Sequence, residues 1–332
     1  MSKPVCVITV DGQPASNLFW QRLISVTVTD KEGSASDTID VSLNAGMPPD
    51  LALPRRGAII TCQMGPSLAD LADFGTFTAD DVTLHILPYK IQVQGKAADM
   101  RAGLKEHKSR HFDDETFGGV VQKMASENGL SAQIDPEIAA FAGREGYFVQ
   151  ESESNLHWIE RQARKLNGLF TIKNGKLIVA KKGSGMSAGG GAMGALIITP
   201  GMIVEGTGSV TFAEREGHKT VRAAYHDPAD GKRKYEEAEA NPEAEAGYTL
   251  RHDHTTKDAA KRAAESRAKE LQRQAETTSV TIIGNTAARG GAPMSYADVH
   301  PEVDGQKFII ETAAHTFSKG GYTVQVSGKK KV

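Results

Sequence analysis

The sequence predicts an α+β protein, mainly β, with two similar β-barrel domains and an inserted helix-hairpin domain. Three observations carry the expectation. Short apolar runs with period-two alternation, bounded by Gly or Pro, fill both ends of the 332-residue chain. Helical spacing is confined to three segments. Finally, "FTADDVTLHILPYKIQVQGK" (77–96) and "FIIETAAHTFSKGGYTVQVSGK" (308–329) share an opening Phe, a His seven or eight positions on, and a nearly identical last strand. The match needs a two-residue gap, yet both stretches close a strand-rich block, as a duplicated β-domain requires.

Taken in order, the first block holds "VCVITV", Asp11-Gly12, "LISVTVTD" and "SDTIDVSL", where Ile39, Val41 and Leu43 alternate with Asp40 and Ser42. "GAIITCQM", "GTFTADDVTLHIL" and "KIQVQGK" follow, and strands this short suit a compact barrel or sandwich. From Thr116 the period changes. Phe117, Val120, Val121, Met124 and Ala125 form a helical stripe, with acidic residues ahead of it and Asn128-Gly129 behind. A second helix is read in "SESNLHWIERQARKLNG" on the stripe Leu156, Ile159, Ala163 and Leu166. "LFTIKNGKLIVAKK" then sets Asn174-Gly175 between two apolar runs, a strong hairpin signal.

"GSGMSAGGGAMGA" (183–195) is a flexible linker by composition. Strands resume at "ALIITPGMIV", "GSVTFAERE" and "KTVRAAYHD". The acidic "EEAEANPEAEAG" (236–247) reads as a loop tip. A third helix is expected at about 256–276, burying Ala260, Ala264, Ala268, Leu271 and Ala275. The expected units are therefore 1–98, a first barrel; 99–182, an α/β connecting domain with two helices and a hairpin; 183–195, the linker; and 196–332, a second barrel carrying the third helix.

Charged residues make up 24% of the chain and the formal net charge is −2, so no overall bias toward nucleic acid or anionic membrane exists. No apolar run has the length of a signal core or a membrane span, and a soluble protein made in a cytoplasm is expected. Cys6 and Cys62 sit in strand-like runs and are read as buried reduced thiols.

Each candidate for chemistry has a plainer explanation. The charged segment 94–116, with Lys96, Asp99, Arg101, His107, Arg110, His111, Asp113 and Asp114, lies between a strand and a helix and reads as a solvated joint. His252 and His254 lack the further ligands of a zinc site, and Thr255 with Asp258 has capping-box spacing. The glycine run has no G-K-[ST] ending. Asp80-Asp81 lies on a strand, and Lys329, Lys330 and Lys331 read as a solubilising tail. No catalytic, cofactor-binding or metal-binding residue is assigned, and no cofactor is expected.

In order, "SDTIDVSL", "LPRRGAIITCQMG", "GTFTADDV", "GKAADMRAGLKEHKSRHFDDETFGGVVQKMASENGL", "ESNLHWIERQARKLNGLFTIKNGKLIV" and "VDGQKFIIETAAHTFSKGGYTVQV" resemble the late control protein D family, the baseplate hub proteins of contractile-tailed bacteriophages and related tailocins. The most specific run is "QARKLNGLFTIKNGKLIV"; the glycine run and the acidic segment look like local elaborations. The resemblance implies a virion structural protein rather than an enzyme. It implies a homotrimer of two-barrel subunits that adapts a hexameric tail tube to a trimeric central spike, with DNA passing through the lumen without specific binding and no membrane insertion. It also implies assembly in the bacterial host cytoplasm and a final place in the tail baseplate. A type VI secretion spike-like hub is a related alternative, disfavoured by the end of the chain at Val332. A tail-associated cell-wall hydrolase is the alternative from another class.

Overall fold

The computed structural model describes residues 3–33, 37–47, 51–97, 102–143, 147–173, 175–185, 191, 193–213 and 217–332. Asp99, Arg101, Asn174 and much of the glycine run lie outside the described residues.

The first block comprises β1 (Val5–Val10), β2 (Gln13–Pro14), α1 (Asn17–Arg22), β3 (Leu23–Lys31), β4 (Thr38–Asn44), β5 (Ile59–Gly65), β6 (Ala72–His85) and β7 (Lys90–Ala97). The one helix here, α1, starts where the Ser16 hydroxyl accepts the Phe19 amide at 3.2 Å.

The middle of the chain forms α2 (Ala102–Lys105), β8 (His107–Phe112), α3 (Phe117–Glu127), β9 (Ser131–Ile134), α4 (Pro136–Ala139), β10 (Phe148–Ser154), α5 (Asn155–Lys165), β11 (Gly168–Lys173) and β12 (Lys176–Lys181). α3 and α5 are capped by Thr116 and Ser154, whose hydroxyls accept the Gly119 and His157 amides. Their apolar stripes enclose Trp158, which is fully buried, stacks on Phe117 at 5.9 Å and donates its indole N–H to the Val149 carbonyl at 2.7 Å.

β8 corrects the reading of segment 94–116 as an exposed joint. His107–Phe112 is a strand paired with β10, and Leu104 just before it is fully buried. Alternation turns Lys108, Arg110 and Phe112 toward the unit and His107, Ser109 and His111 outward. A strand whose inward side is cationic carries no apolar signature, which is why its sequence looked like a connector.

The last part of the chain holds β13 (Leu196–Ile198), a 3₁₀ turn (Pro200–Met202), β14 (Ser209–Phe212), β15 (Thr220–His226), β16 (Arg233–Glu239), β17 (Gly247–Thr249), α6 (Lys257–Gln274), β18 (Glu276–Ile283), β19 (Pro293–Tyr296), β20 (Lys307–Ser318) and β21 (Gly321–Lys330). The acidic segment is not wholly a loop: Glu236, Glu237 and Glu239 lie on β16, which pairs with β15 and sets Glu237 against Arg222. β15, β16 and β17 make a small sheet, and α6 lays Ala260, Ala264 and Ala268 against it. Alanine lets helix and sheet approach closely at the cost of buried volume. The cap of α6 is Thr256, whose hydroxyl accepts the Ala259 amide at 3.2 Å. Gly185 and Met193 are tied by a backbone hydrogen bond of 2.9 Å, so the described ends of the glycine run meet.

The protein is mainly β. One 13-stranded sheet runs β14-β18-β21-β20-β3-β4-β7-β6-β5-β1-β2, with β19 branching from β20 and β13 pairing β19. Among the described residues this path is open. Antiparallel pairing of β20 with β3 splices the end of the chain to its beginning, and a single apolar core lies under both blocks.

Candidate functional site: a repeated hairpin and a polar sheet face

The two stretches that match in sequence are superimposable in register. In β6–β7, Phe77 opposes Ala97, Ala79 opposes Gly95, and a bulge at Asp80 precedes Asp81 opposite Gln94. In β20–β21, Phe308 opposes Lys330, Ile310 opposes Gly328, and a bulge at Glu311 precedes Thr312 opposite Ser327. The bulge residue pairs with a lysine in both hairpins: Asp80 with Lys96 at 3.9 Å, and Glu311 with Lys329.

Both glycines are required by crowding. A Cβ on Gly95 would stand 2.8 Å from the Thr78 carbonyl oxygen, and one on Gly328 would stand 2.9 Å from the Ile309 carbonyl oxygen. The repeat extends upstream, where Gly57 donates to the Ala79 carbonyl (2.8 Å) and Gly291 donates to the Ile310 carbonyl (2.7 Å). Gly57 and Gly291 both have positive φ, so Arg55 and Arg289 hold equivalent positions two residues ahead. The shared His does not survive the comparison. His85 opposes Lys90 whereas His315 opposes Val324, one residue out of step, and a one-residue slip changes the face.

His315 is buried at the splice between the blocks. Its Nε2 donates to the Ala288 carbonyl at 2.7 Å, so Nδ1 accepts from the Tyr322 hydroxyl, also at 2.7 Å. Burial, with the nearby Arg289 charge, pushes its pKa down to about 4, so it is neutral at pH 7. Arg289 lies over the Phe74 ring (3.9 Å to its centroid) and approaches Asp30 of β3 at 3.6 Å. These contacts bond block to block. They are structural, and sequence patterning did not single them out, because Asp30, Phe74, Arg289 and His315 are far apart in the chain.

The long sheet has one apolar and one polar face. Thr27, Thr29, Asp40, Gln92, Gln94 and Thr83 continue into Ser279, Thr281, Thr316, Thr323, Gln325 and Ser209 on the other block. Thr27 and Thr316 hydroxyls meet across the splice at 3.1 Å, and the Asp40 carboxylate accepts from Gln92 (2.6 Å) and Gln94 (3.1 Å). The same face also carries Asp81, Lys90 and Lys96, so its charges are few and of both signs.

The other sequence candidates are dispersed. Arg110 donates to Gln150 (2.8 Å), Glu127 (2.7 Å) and Asn155 (3.1 Å), a closed network inside the middle unit. His111 lies 3.4 Å from Asp113. His254 donates its backbone N–H to the Ala224 carbonyl, while His252 is exposed, and among the described residues no group of three metal-ligating side chains converges. Lys329 and Lys330 correct the reading of a solubilising tail: both lie on β21, paired with Glu311 and Glu276. Cys6 and Cys62 are free and buried; contact with the Cys6 thiol, together with burial, pushes the Cys62 thiol up. No helix among the described residues is long and apolar enough to cross a membrane.

Residues 71–321 match the family model described as phage tail baseplate hub (GPD). The "Probable baseplate hub protein" of Escherichia phage 186 is 25% identical over 96% of this chain and 91% of its own length. Its counterpart in Escherichia phage P2 is 25% identical over 97% and 92%. Among solved structures, the 43 kDa tail protein of prophage MuSo2 from Shewanella oneidensis shares the fold, with a TM-score of 0.72 at 13% identity, covering 99% of this chain and 98% of that one. The family match, spanning both blocks and the middle unit, means that this chain belongs to the phage tail baseplate hub family.

Proposed function

We propose that this baseplate hub of a contractile phage tail works as a symmetry adaptor. Three copies, each supplying two barrel-like blocks, close into a ring whose six near-equivalent faces meet a hexameric tail tube on one side. The other side presents threefold symmetry to a trimeric central spike. The observation that carries the reading is the repeated hairpin, with the same bulge, crowded glycine, lysine pair and upstream glycine contact in both blocks.

In this reading the units are 1–98 and 196–332 as the two blocks, 99–182 as the connecting unit and 183–195 as the link. The polar sheet face lines the lumen. Its Thr, Ser and Gln side chains neutralise few phosphates, so DNA crosses without the salt-dependent trap that Lys and Arg rows would build. The role is mechanical rather than catalytic, exercised in the virion after assembly in the host cytoplasm.

Light scattering of the purified chain over a range of concentrations tests this. A mass three times that of the monomer is expected. A monomer at every concentration, with and without spike protein, would overturn the trimeric reading.

A further inference from the structure

Where α6 turns into β18, the helix, the small sheet and the end of β21 border a cavity of about 490 Å³. Ala240, Leu271 and Ala275 give it an apolar wall, and His218, Gln272 and Glu276 supply polar groups. Two of these residues each hold an atom that is shut off from bulk water and, among the described residues, has no hydrogen-bond partner: His218 Nδ1 and Glu276 Oε2. Buried acceptors left bare cost folding free energy, so two of them on one cavity point to a missing donor. The His218 ring packs against Tyr248, centroids 5.3 Å apart, which limits its rotation. Lys330 engages the other oxygen of Glu276. Gln272 adds a third acceptor: its amide nitrogen reaches the Glu239 carbonyl at 3.5 Å, and its side-chain oxygen remains to accept. Charge favours a cation. Glu276 and the exposed Glu243 line the cavity with Lys330, whereas the Lys331 ammonium lies beside Gly185, 3.7 Å from where a Cβ there would stand, and Gly185 borders a different cavity.

We infer that this cavity binds a primary alkylammonium group, whose three N–H donors are accepted by Glu276 Oε2, His218 Nδ1 and the Gln272 side-chain oxygen. With its proton on Nε2, the His218 ring presents Nδ1 as a lone-pair acceptor. The methylene stem behind the ammonium lies along Ala240, Leu271 and Ala275. A metal ion does not suit this wall, because among the described residues no three metal-ligating side chains converge. An anion is opposed by the two carboxylates. The space is roomier than a single amine stem needs, so it admits either a free alkyl diamine or a lysine side chain on a peptide. A bound ammonium ties together the first residue of β18, the last turn of α6 and the approach to β15, and so braces the small unit against the long sheet. The inference stands apart from the hub reading and does not depend on the number of copies.

Isothermal titration calorimetry of the full chain tests this, with 1,5-diaminopentane, Nα-acetyl-lysine methylamide and 1,5-pentanediol as probes. Saturable binding of an amine, and none of the diol, is the expected result. Tighter binding of the diamine would mark a free amine as the ligand, and tighter binding of the lysine derivative a protein side chain. Glu276→Gln should weaken amine binding at least about tenfold, the loss of one charge-assisted hydrogen bond. Lys330→Met should tighten it by about tenfold, because it releases the second carboxylate oxygen and removes the competing cation. That variant keeps the carboxylate, so the inference can still be refuted where Glu276→Gln fails to fold. No saturable binding of either amine, equal binding of the diol, no effect of Glu276→Gln in a folded protein, or weaker binding in Lys330→Met would overturn it.

Discussion

Acidification should weaken the splice between the two blocks through His315. In the folded protein this ring is fully buried and satisfied only as the neutral tautomer, donating from Nε2 to the Ala288 carbonyl and accepting at Nδ1 from Tyr322. Its pKa falls from 6.5 to about 4 on folding. Below pH 6.5 the unfolded chain takes up a proton that the folded chain refuses, so the stability present at neutral pH is lost as pH falls toward 4. At about 1.4 kcal/mol per pKa unit the full loss is about 3 kcal/mol, of which about 2 kcal/mol is already gone at pH 5. His315→Gln keeps a donor for Ala288 and removes the titration. Urea unfolding of both proteins at pH 8, 6.5 and 5 isolates the effect, since His254, whose pKa burial also lowers, is common to both. The wild-type advantage should shrink by about 2 kcal/mol between pH 8 and pH 5. An advantage that stays constant over that range would mean that His315 is not held neutral at the splice.

The remaining predictions concern packing. Gly95→Ala and Gly328→Ala should each cost roughly 1–3 kcal/mol in urea unfolding, because each new methyl meets a carbonyl oxygen in an equivalent hairpin; a neutral result at either would break the equivalence of the two blocks. Ala264→Leu should overpack α6 against β15 and β16 by a similar roughly 1–3 kcal/mol, read as a lowered melting temperature. Trp158→Ala should cost about 3–5 kcal/mol. Its loss should be confined to the middle unit, seen as a separate early transition in circular dichroism.

Sequence alone was enough for α3, α5 and the body of α6, because a stripe of apolar or small residues at helical spacing is a local signal. It was also enough for the repeated hairpin, where alternation and the paired Gly-Lys ending survive in the text of both blocks. β8 and β16 were not legible, because apart from Phe112 at the end of β8 their inward-facing residues are Lys, Arg, Glu or Ala, and strand character there comes from pairing partners rather than from apolar alternation. The apparent match of His85 with His315 misled for a related reason: text alignment tolerates a one-residue slip that a pleated strand does not.

Sequence by itself determined that the protein is mainly β and that its two end blocks carry a repeated hairpin. Only the tertiary structure decided that β20 is spliced to β3 and that Arg289, Asp30, Phe74 and His315 meet there. The physical reason is range. Alternation, caps and turns are set by neighbours a few residues apart, whereas the pairing of strands nearly a chain length apart is settled by which edges and buried faces fit once the whole core has formed.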